Sequence, residues 1–359
     1  MSANDTQRPK RRSWRNDTDD AAETTNIPLL DEVVAEHPSI APDPVTSTQA
    51  GARRARLRDD DLTTRSGHYI LTYGLPRAGK TAFQSFLTYY LTHVGPFTTT
   101  PLLTPEDSAQ GWEPQAVINS WIRAWRNGRF PARTSSAEDD IRELRFRMTP
   151  KDGVRTPLEF GFLEVGGELM RKVVVDETGN PELAETLRAY LTNPQIDLLL
   201  MLVVDPEAGL DNDLLFDNLL THLAVNAPGL EQRAALGVLI SKPRLALQQL
   251  KAADAGFSHY PALRGELSEE YLARFAPRTY RAIEDWPNPQ RTGIMALDLG
   301  DCAPLDSANG TADSAADAPV VLRQDHADIA AITRWIYRLF TGQRIGPTRL
   351  QRLLQWLKR

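Results

Sequence analysis

The sequence predicts an α/β fold in which a mostly parallel sheet, with one antiparallel hairpin strand, lies between two layers of helices. Two observations support this prediction. From His68 onward, short apolar runs alternate with amphipathic stretches of helical period, which is typical of strands and helices that follow one another. One pair of alternating segments is instead joined by the turn residues Pro150–Gly153, which indicates a hairpin.

The same patterns place the elements along the chain. Strands are expected near His68–Tyr73, Ile141–Met148, Leu158–Glu164, Asp197–Val204, Leu236–Ser241 and Thr292–Leu299. Helices are expected near Thr81–Thr92, Gln115–Trp125, Glu182–Leu191, Asp211–Ala224, Arg244–Ala252, Ser268–Glu284, Ala327–Phe340 and Thr348–Lys358. Helices separate all strands except the hairpin pair, and we therefore expect the other strands to be parallel.

Composition divides the chain into three regions. Residues 1–66 contain ten Lys or Arg, twelve Asp or Glu and one aromatic residue, so they bury too little apolar surface to fold, and we predict disorder. Residues 67–345 form the predicted globular domain, with an insertion at 94–140 and a flexible loop at 301–319. Residues 346–359 predict a basic amphipathic helix, which either packs on its own domain or contacts a partner or, weakly, an anionic membrane surface.

Charge and cysteine content limit the function classes. The net charge of −6 disfavours a general nucleic-acid binder. Cys302 is the only cysteine, which excludes a disulfide scaffold and indicates a reducing compartment. The longest clean apolar run, Leu198–Val204, has seven residues, whereas a membrane-spanning helix needs about 20. We therefore expect a cytoplasmic protein.

The strongest motif is Gly74-Leu75-Pro76-Arg77-Ala78-Gly79-Lys80-Thr81, which matches G-x-x-x-x-G-K-[ST] at every fixed position. A predicted strand precedes it and a predicted helix follows. Its glycines allow backbone N–H groups to point at phosphate oxygens at the start of the helix. We expect Lys80 to reach the β- and γ-phosphates of a nucleoside triphosphate and the Thr81 hydroxyl to bind Mg²⁺.

A second segment, Glu164-Val165-Gly166-Gly167-Glu168, begins 84 residues after Lys80, at the end of the second hairpin strand. A carboxylate there suits a water-mediated contact with Mg²⁺. The Gly167 N–H can approach a γ-phosphate because no side chain intervenes. The segment therefore predicts a γ-phosphate sensor, the alternative being an ordinary strand end with a Gly-Gly turn.

The phosphate loop, the hairpin and the Glu164–Glu168 segment together resemble the Ras-like GTPases of the TRAFAC class. The Arf-like and Gα branches are most similar, and the bacterial double-GTPase group more loosely so. The resemblance covers about residues 67–343. It implies the three-layer P-loop NTPase fold, with GTP and Mg²⁺ as cofactors. It also implies that Glu168 stands where the family orients the attacking water, and that Ser241 and Lys242 stand at the base-reading motif, with the Lys242 stem covering the base.

Three residues depart from the family pattern. Glu164 replaces an Asp and is one methylene longer. Glu168 replaces a Gln, and its carboxylate repels a γ-phosphate, which predicts slow hydrolysis. Arg244 replaces the Asp that accepts hydrogen bonds from guanine N1–H and the 2-amino group, and a guanidinium has no acceptor. Arg244 therefore favours ATP as the alternative nucleotide.

The loop before the hairpin contains the remaining candidates. The resemblance requires a threonine there that reaches Mg²⁺, and Thr134 is the candidate. Arg129 and Arg133 are candidates for an internal arginine finger, the alternative being solvated loop charges. The apolar face of Gln115–Trp125 is expected to pack against the sheet or cap the nucleotide pocket, with a partner surface as the alternative.

The sequence thus predicts a Mg²⁺-dependent, GTP-binding protein with slow GTPase activity. It would switch the segments around Thr134 and Gly167 between two arrangements. One alternative is a P-loop ATPase, favoured by Arg244. The other is a catalytically weak, nucleotide-bound scaffold that recruits protein partners, favoured by Glu168. A protein partner is expected but not identified, and no specific nucleic acid is expected.

Overall fold

A computed structural model describes residues 65–102, 114–131, 141–165, 185–253, 264–303 and 320–345. The strands are β1 (Gly67–Tyr73), β2 (Phe97–Leu102), β3 (Ile141–Pro150), β4 (Leu158–Val165), β5 (Ile196–Val204), β6 (Ala235–Ile240), β7 (Thr292–Ala296), β8 (Gly300–Ala303) and β9 (Val320–Gln324). The helices are α1 (Lys80–Tyr89), α2 (Pro114–Arg126), α3 (Glu185–Thr192), α4 (Leu210–Asn226), α5 (Leu230–Arg233), α6 (Pro243–Ala253), α7 (Arg264–Phe275), α8 (Pro277–Glu284) and α9 (Ala327–Thr341). A π-helical turn, Tyr90–Val94, continues α1.

Within the described residues the main sheet has seven strands, in the order β2-β3-β4-β1-β5-β6-β7. The neighbours from β4 through β7 are parallel, whereas β3 runs antiparallel to both β2 and β4. The predicted hairpin is present, with Met148 opposite Leu158. The structure therefore confirms a mostly parallel sheet with one antiparallel hairpin strand.

Helices cover both faces of this sheet. Tyr69, Leu71 and Tyr73 of β1 share one buried core with side chains of α3, α4, α6, α7 and α8. Ile70 of β1 faces the opposite core, which α1, α2 and α9 complete. Every residue of β5 except Asp197 is buried, as expected for a central parallel strand that is covered on both sides. The result is the predicted three-layer sandwich.

One helix prediction was wrong. The sequence suggested a single helix over Ser268–Glu284, but the helix is interrupted between α7 and α8. Ala276 has φ −142° and ψ 60°, outside the helical region, and Pro277 follows it. The proline ring disfavours helical backbone at the preceding residue, which explains the break.

Three strands were not predicted. β2 extends the sheet beyond β3 from within the predicted insertion, and Pro101 of β2 stands opposite Phe146. β8 and β9 form a separate antiparallel ribbon, in which Gly300 pairs with Gln324. The first residues of the predicted flexible loop, Asp301–Ala303, therefore lie in a strand. Residues 304–319 lie outside the described residues.

Both ends of the described chain meet the domain at the amino edge of the sheet. Asn193 Nδ2 donates a hydrogen bond to the Arg65 carbonyl (2.8 Å), just before β1. Gln343 Nε2 donates to Thr156 Oγ1 (2.9 Å), just before β4. The predicted tail up to residue 64 and the predicted helix Thr348–Lys358 lie outside the described residues. Among the helices that the structure describes, none combines the length and the apolar character needed to cross a bilayer.

Candidate phosphate-binding site

The segment Gly74–Thr81 joins β1 to α1 at the carboxyl edge of the sheet. Gly79 has φ +91°, a left-handed conformation that glycine adopts without steric cost, and α1 begins at the next residue. Ala78 N donates to the Leu75 carbonyl (3.1 Å) and Phe83 N to the Gly79 carbonyl (2.9 Å), so the loop closes on itself and leads into the helix. The predicted strand, loop and helix are all present.

Gly74 is required by the close packing of the loop against β5. A Cβ atom at this position would lie 2.5 Å from the Val203 carbonyl oxygen, nearer than real Cβ atoms approach backbone. Any larger residue would push the start of the loop away from β5. The glycine therefore sets the position of the loop relative to the sheet.

Lys80 is held inside the loop by two backbone groups. Its Nζ donates to the carbonyl oxygens of Gly74 (2.7 Å) and Leu75 (2.8 Å). Burial lowers the pKa of Lys80 to about 8, because a charged ammonium loses hydration there. Both partners are neutral carbonyls, so an anionic phosphate is a stronger partner for the charged amine than either of them.

We expect the affinity for nucleotide to decrease as the pH rises, because Lys80 loses its proton. Its pKa is about 8, so at pH 9 most molecules must take up a proton before the ammonium can bind phosphate. Linkage then predicts that the affinity for a nucleoside triphosphate is about tenfold lower at pH 9 than at pH 7. The terminal phosphate itself titrates near pH 6, below this range.

Calorimetric titration in two buffers of different ionisation enthalpy would measure this effect directly. Proton uptake on binding should be close to one per nucleotide at pH 9 and close to zero at pH 7. Constant affinity and no proton uptake over this range would contradict the role given to Lys80.

Two of the three residues proposed to bind Mg²⁺, Thr81 and Glu164, come from adjacent elements. Thr81 is half-buried in the first turn of α1, directly after Lys80. Glu164 belongs to β4, the parallel neighbour of β1, and follows Leu163, which pairs with Leu71. A hydroxyl at the helix start and a carboxylate residue on the neighbouring strand are hard oxygen donors of the kind that Mg²⁺ prefers. The donor chemistry of these two residues is therefore compatible with a Mg²⁺ ion.

Ser241 lies against the phosphate loop, and Lys242 follows Ser241 at the start of α6. A Cβ atom at Gly79 would lie 3.0 Å from Ser241 Cβ, so the two segments are in contact. Lys242 Nζ binds Asp205 Oδ2 (3.0 Å) and Glu207 Oε2 (2.6 Å). Burial lowers the pKa of Lys242, but the hydrogen bonds to Glu207 and Asp205 outweigh it, and the pKa is raised. The charge of Lys242 is thus paired with two carboxylates.

Arg244 forms a second charged cluster at the same edge. Its Nε donates to Asp298 Oδ2 (3.1 Å), just beyond β7, and its Nη2 donates to Asp301 Oδ1 (3.0 Å) on β8. The hydrogen bonds to Asp298 and Asp301 raise the pKa of Arg244 above its ordinary value. Sequence reasoning did not identify Asp298 or Asp301. One sequence feature could have indicated Asp298: it follows the last parallel strand, and ligands of such sheets bind at the carboxyl ends of the strands.

The other predicted residues are not brought together by the described structure. Gly167, Glu168, Arg133 and Thr134 lie outside the described residues, so their roles stay predictions. Arg129 is exposed, and its backbone forms an isolated bridge with Val320. The structure thus assembles the phosphate loop, Ser241 and Lys242 at one edge of the sheet.

Two of the solved structures that match the chain do so at low identity and low TM-score. One is the signal recognition particle receptor SRb-GTP/SRX complex from Chaetomium thermophilum, with 17% identity, a TM-score of 0.30, and coverage of 65% of this chain and 90% of that chain. The other is the bacterial selenocysteine-specific elongation factor EF-Sec, with 14% identity, a TM-score of 0.26, and coverage of 65% of this chain and 26% of that chain. No family model and no curated protein matches the sequence significantly. The sheet and the loop themselves define a P-loop NTPase fold.

Proposed function

We propose that the protein binds GTP together with Mg²⁺ and acts as a nucleotide-dependent switch with slow GTPase activity. The observation that supports this most strongly is the phosphate loop. Lys80 is held within the loop by the carbonyls of Gly74 and Leu75, at the start of α1. A helix N-terminus and a buried lysine are together suited to a polyphosphate.

Binding is expected to exchange the partners of Lys80. Its ammonium leaves the two loop carbonyls and donates to β- and γ-phosphate oxygens, while N–H groups at the start of α1 donate to the same phosphates. Thr81 and Glu164 would hold Mg²⁺, which, when bound, neutralises part of the phosphate charge. Together these groups are proposed to position a triphosphate.

Switching is proposed to arise from segments on either side of β3 and β4. Gly167 follows β4, the parallel neighbour of β1, so its N–H is expected to contact the γ-phosphate. Thr134 precedes β3 and is expected to contact Mg²⁺. Loss of the γ-phosphate would release both segments at once, as in nucleotide switches of this fold.

A competition experiment tests the choice of nucleotide. With Mg²⁺ present, GTP should bind at least tenfold more tightly than ATP, a difference of about 1.4 kcal/mol. Displacement of a fluorescent triphosphate by each nucleotide gives both affinities. Equal or tighter binding of ATP would identify the protein as a P-loop ATPase, and absence of binding by either nucleotide would reject the proposal.

Replacing Glu168 by glutamine is expected to raise single-turnover GTP hydrolysis severalfold. An ionised carboxylate next to the γ-phosphate repels it, and glutamine removes the charge while keeping the hydrogen-bonding geometry. If Glu168 is instead a general base, the same change should lower the rate by about 10²-fold or more. A rate that does not change would support the nucleotide-bound scaffold.

A further inference from the structure

We infer that Arg244 selects the base of the bound nucleotide, and that it selects guanine by donating hydrogen bonds to O6 and N7. This inference rests on the proposed function, because it takes the phosphates to lie in the loop Gly74–Thr81. It reverses the expectation from sequence, in which arginine at this position disfavours guanine. The carboxylates that hold Arg244, Asp298 and Asp301, are the reason for the reversal.

The direction of the nucleotide follows from the strand order. The proposed γ-phosphate contact follows β4, which lies on one side of β1, whereas β5, β6 and β7 lie on the other side. The sugar and base must therefore extend from the loop toward the carboxyl ends of β5 and β6. Ser241, which contacts Gly79, is the first residue beyond β6 in that direction. Arg244 lies three residues further on, in the first turn of α6.

The guanidinium of Arg244 is held by two carboxylates and has further donors. Asp298 accepts a hydrogen bond from Nε, and Asp301 accepts one from Nη2. A guanidinium has five N–H groups, so three have no partner among the residues that the structure describes, and the side chain is 60% exposed. Lys242, the cation nearest to Arg244 in the sequence, is already bound to Asp205 and Glu207. In the part of the chain that the structure describes, Arg244 is therefore the best-placed cationic donor for a base.

The chemistry of the two purines then decides the preference. Guanine presents two neighbouring acceptors, O6 and N7, which match the paired N–H groups of a guanidinium. Adenine presents the acceptor N7 next to the N6 amino group, which is a donor. Only N7 can accept a hydrogen bond from the guanidinium, and the N6 amino group faces a second N–H donor of the arginine. A rigid arginine fork therefore favours guanine over adenine.

Base analogues test this in the unmodified protein. GTP, ITP, 7-deaza-GTP and ATP would each compete against a fluorescent triphosphate in the presence of Mg²⁺. ITP keeps O6 and N7, so it should bind within about threefold of GTP, whereas 7-deaza-GTP lacks N7 and should bind roughly tenfold more weakly. Equal binding of 7-deaza-GTP and GTP, or a large loss with ITP, would overturn the inference, because a large loss with ITP means that the 2-amino group is read.

A substitution of Arg244 provides a second test of base selection. Arg244→Ala should lower GTP affinity about tenfold or more and leave ATP affinity within about twofold. Arg278→Ala is the matched control, because Arg278 is similarly exposed (57%) and similarly ion-paired, to Asp217 at 2.8 Å. Equal losses for GTP and ATP in Arg244→Ala would contradict the inference. Binding that depends on Lys80 but not on Arg244 would reject the base selection alone, whereas no triphosphate binding would reject the proposed function.

Discussion

Replacing Lys80 by alanine is expected to lower GTP affinity by about a hundredfold or more while the fold stays intact. The ammonium supplies charge-assisted hydrogen bonds to two phosphates, and a hundredfold loss corresponds to about 2.7 kcal/mol. The fold should tolerate the change, because burial disfavours the charged amine in the free protein. The lowered pKa of Lys80, about 8, reflects this cost, which the alanine variant does not bear. Calorimetric titration with GTP and Mg²⁺ measures the affinity, and circular dichroism checks the fold.

Lys251→Ala is the appropriate control for this experiment. Lys251 lies in the last turn of α6 and is exposed, so its removal changes the net charge equally without touching the loop. Its variant should bind GTP as the native protein does. If Lys80→Ala also bound GTP normally, the loop Gly74–Thr81 would not be the nucleotide site.

Replacing Trp125 by alanine is expected to lower the free energy of unfolding by about 3–5 kcal/mol. Trp125 is fully buried, and its ring centroid lies 4.7 Å from that of Phe86 on α1. Its Nε1 donates to the buried Ser85 Oγ (3.0 Å). The variant loses this hydrogen bond and leaves a cavity between α2 and α1. The melting temperature should fall on the order of 10 °C.

Two further variants separate the contributions to this effect. Ser85→Ala removes the acceptor of the indole N–H, together with the hydrogen bond from Ser85 Oγ to the Ala82 carbonyl (3.1 Å), and should cost about 1–3 kcal/mol. Arg126→Ala changes the next residue of α2, which is exposed, and should have little effect. A loss below about 1 kcal/mol for Trp125→Ala would show that α2 is not packed on α1 as described.

Strand prediction succeeded for six of the seven main-sheet strands that the structure describes and failed at β2, one of the two edge strands, and at the separate ribbon. β5 reads as a strand because Leu198–Val204 is continuously apolar and central. β2 is an edge strand in which Thr98 and Thr100 are exposed, so it lacks the apolar alternation that indicates a strand. The ribbon of β8 and β9 is mostly exposed or half-buried and carries no pattern either. Such strands are stabilised by partners distant in sequence, which local patterns do not reveal.

The candidate site divides in the same way. The phosphate loop was predictable because its strand, glycines, lysine and helix are consecutive in the chain. The role of Arg244 was not, because Asp298 and Asp301 lie 54 and 57 residues away and only the fold brings them to it. Taken alone, Arg244 appeared to replace a needed acceptor. Its carboxylate partners show that it is an oriented donor.

The placement of the two chain ends has a practical consequence. Arg65 and Gln343 attach at the amino ends of β1 and β4, whereas Lys80 follows the carboxyl end of β1. The seven residues of β1 put about 20 Å between these edges. A fluorophore, affinity tag or fused protein joined directly before Arg65 or directly after Gln343 would therefore be attached at the edge of the sheet opposite the loop. Immobilising the domain at either of these two points suits surface-based measurement of nucleotide exchange.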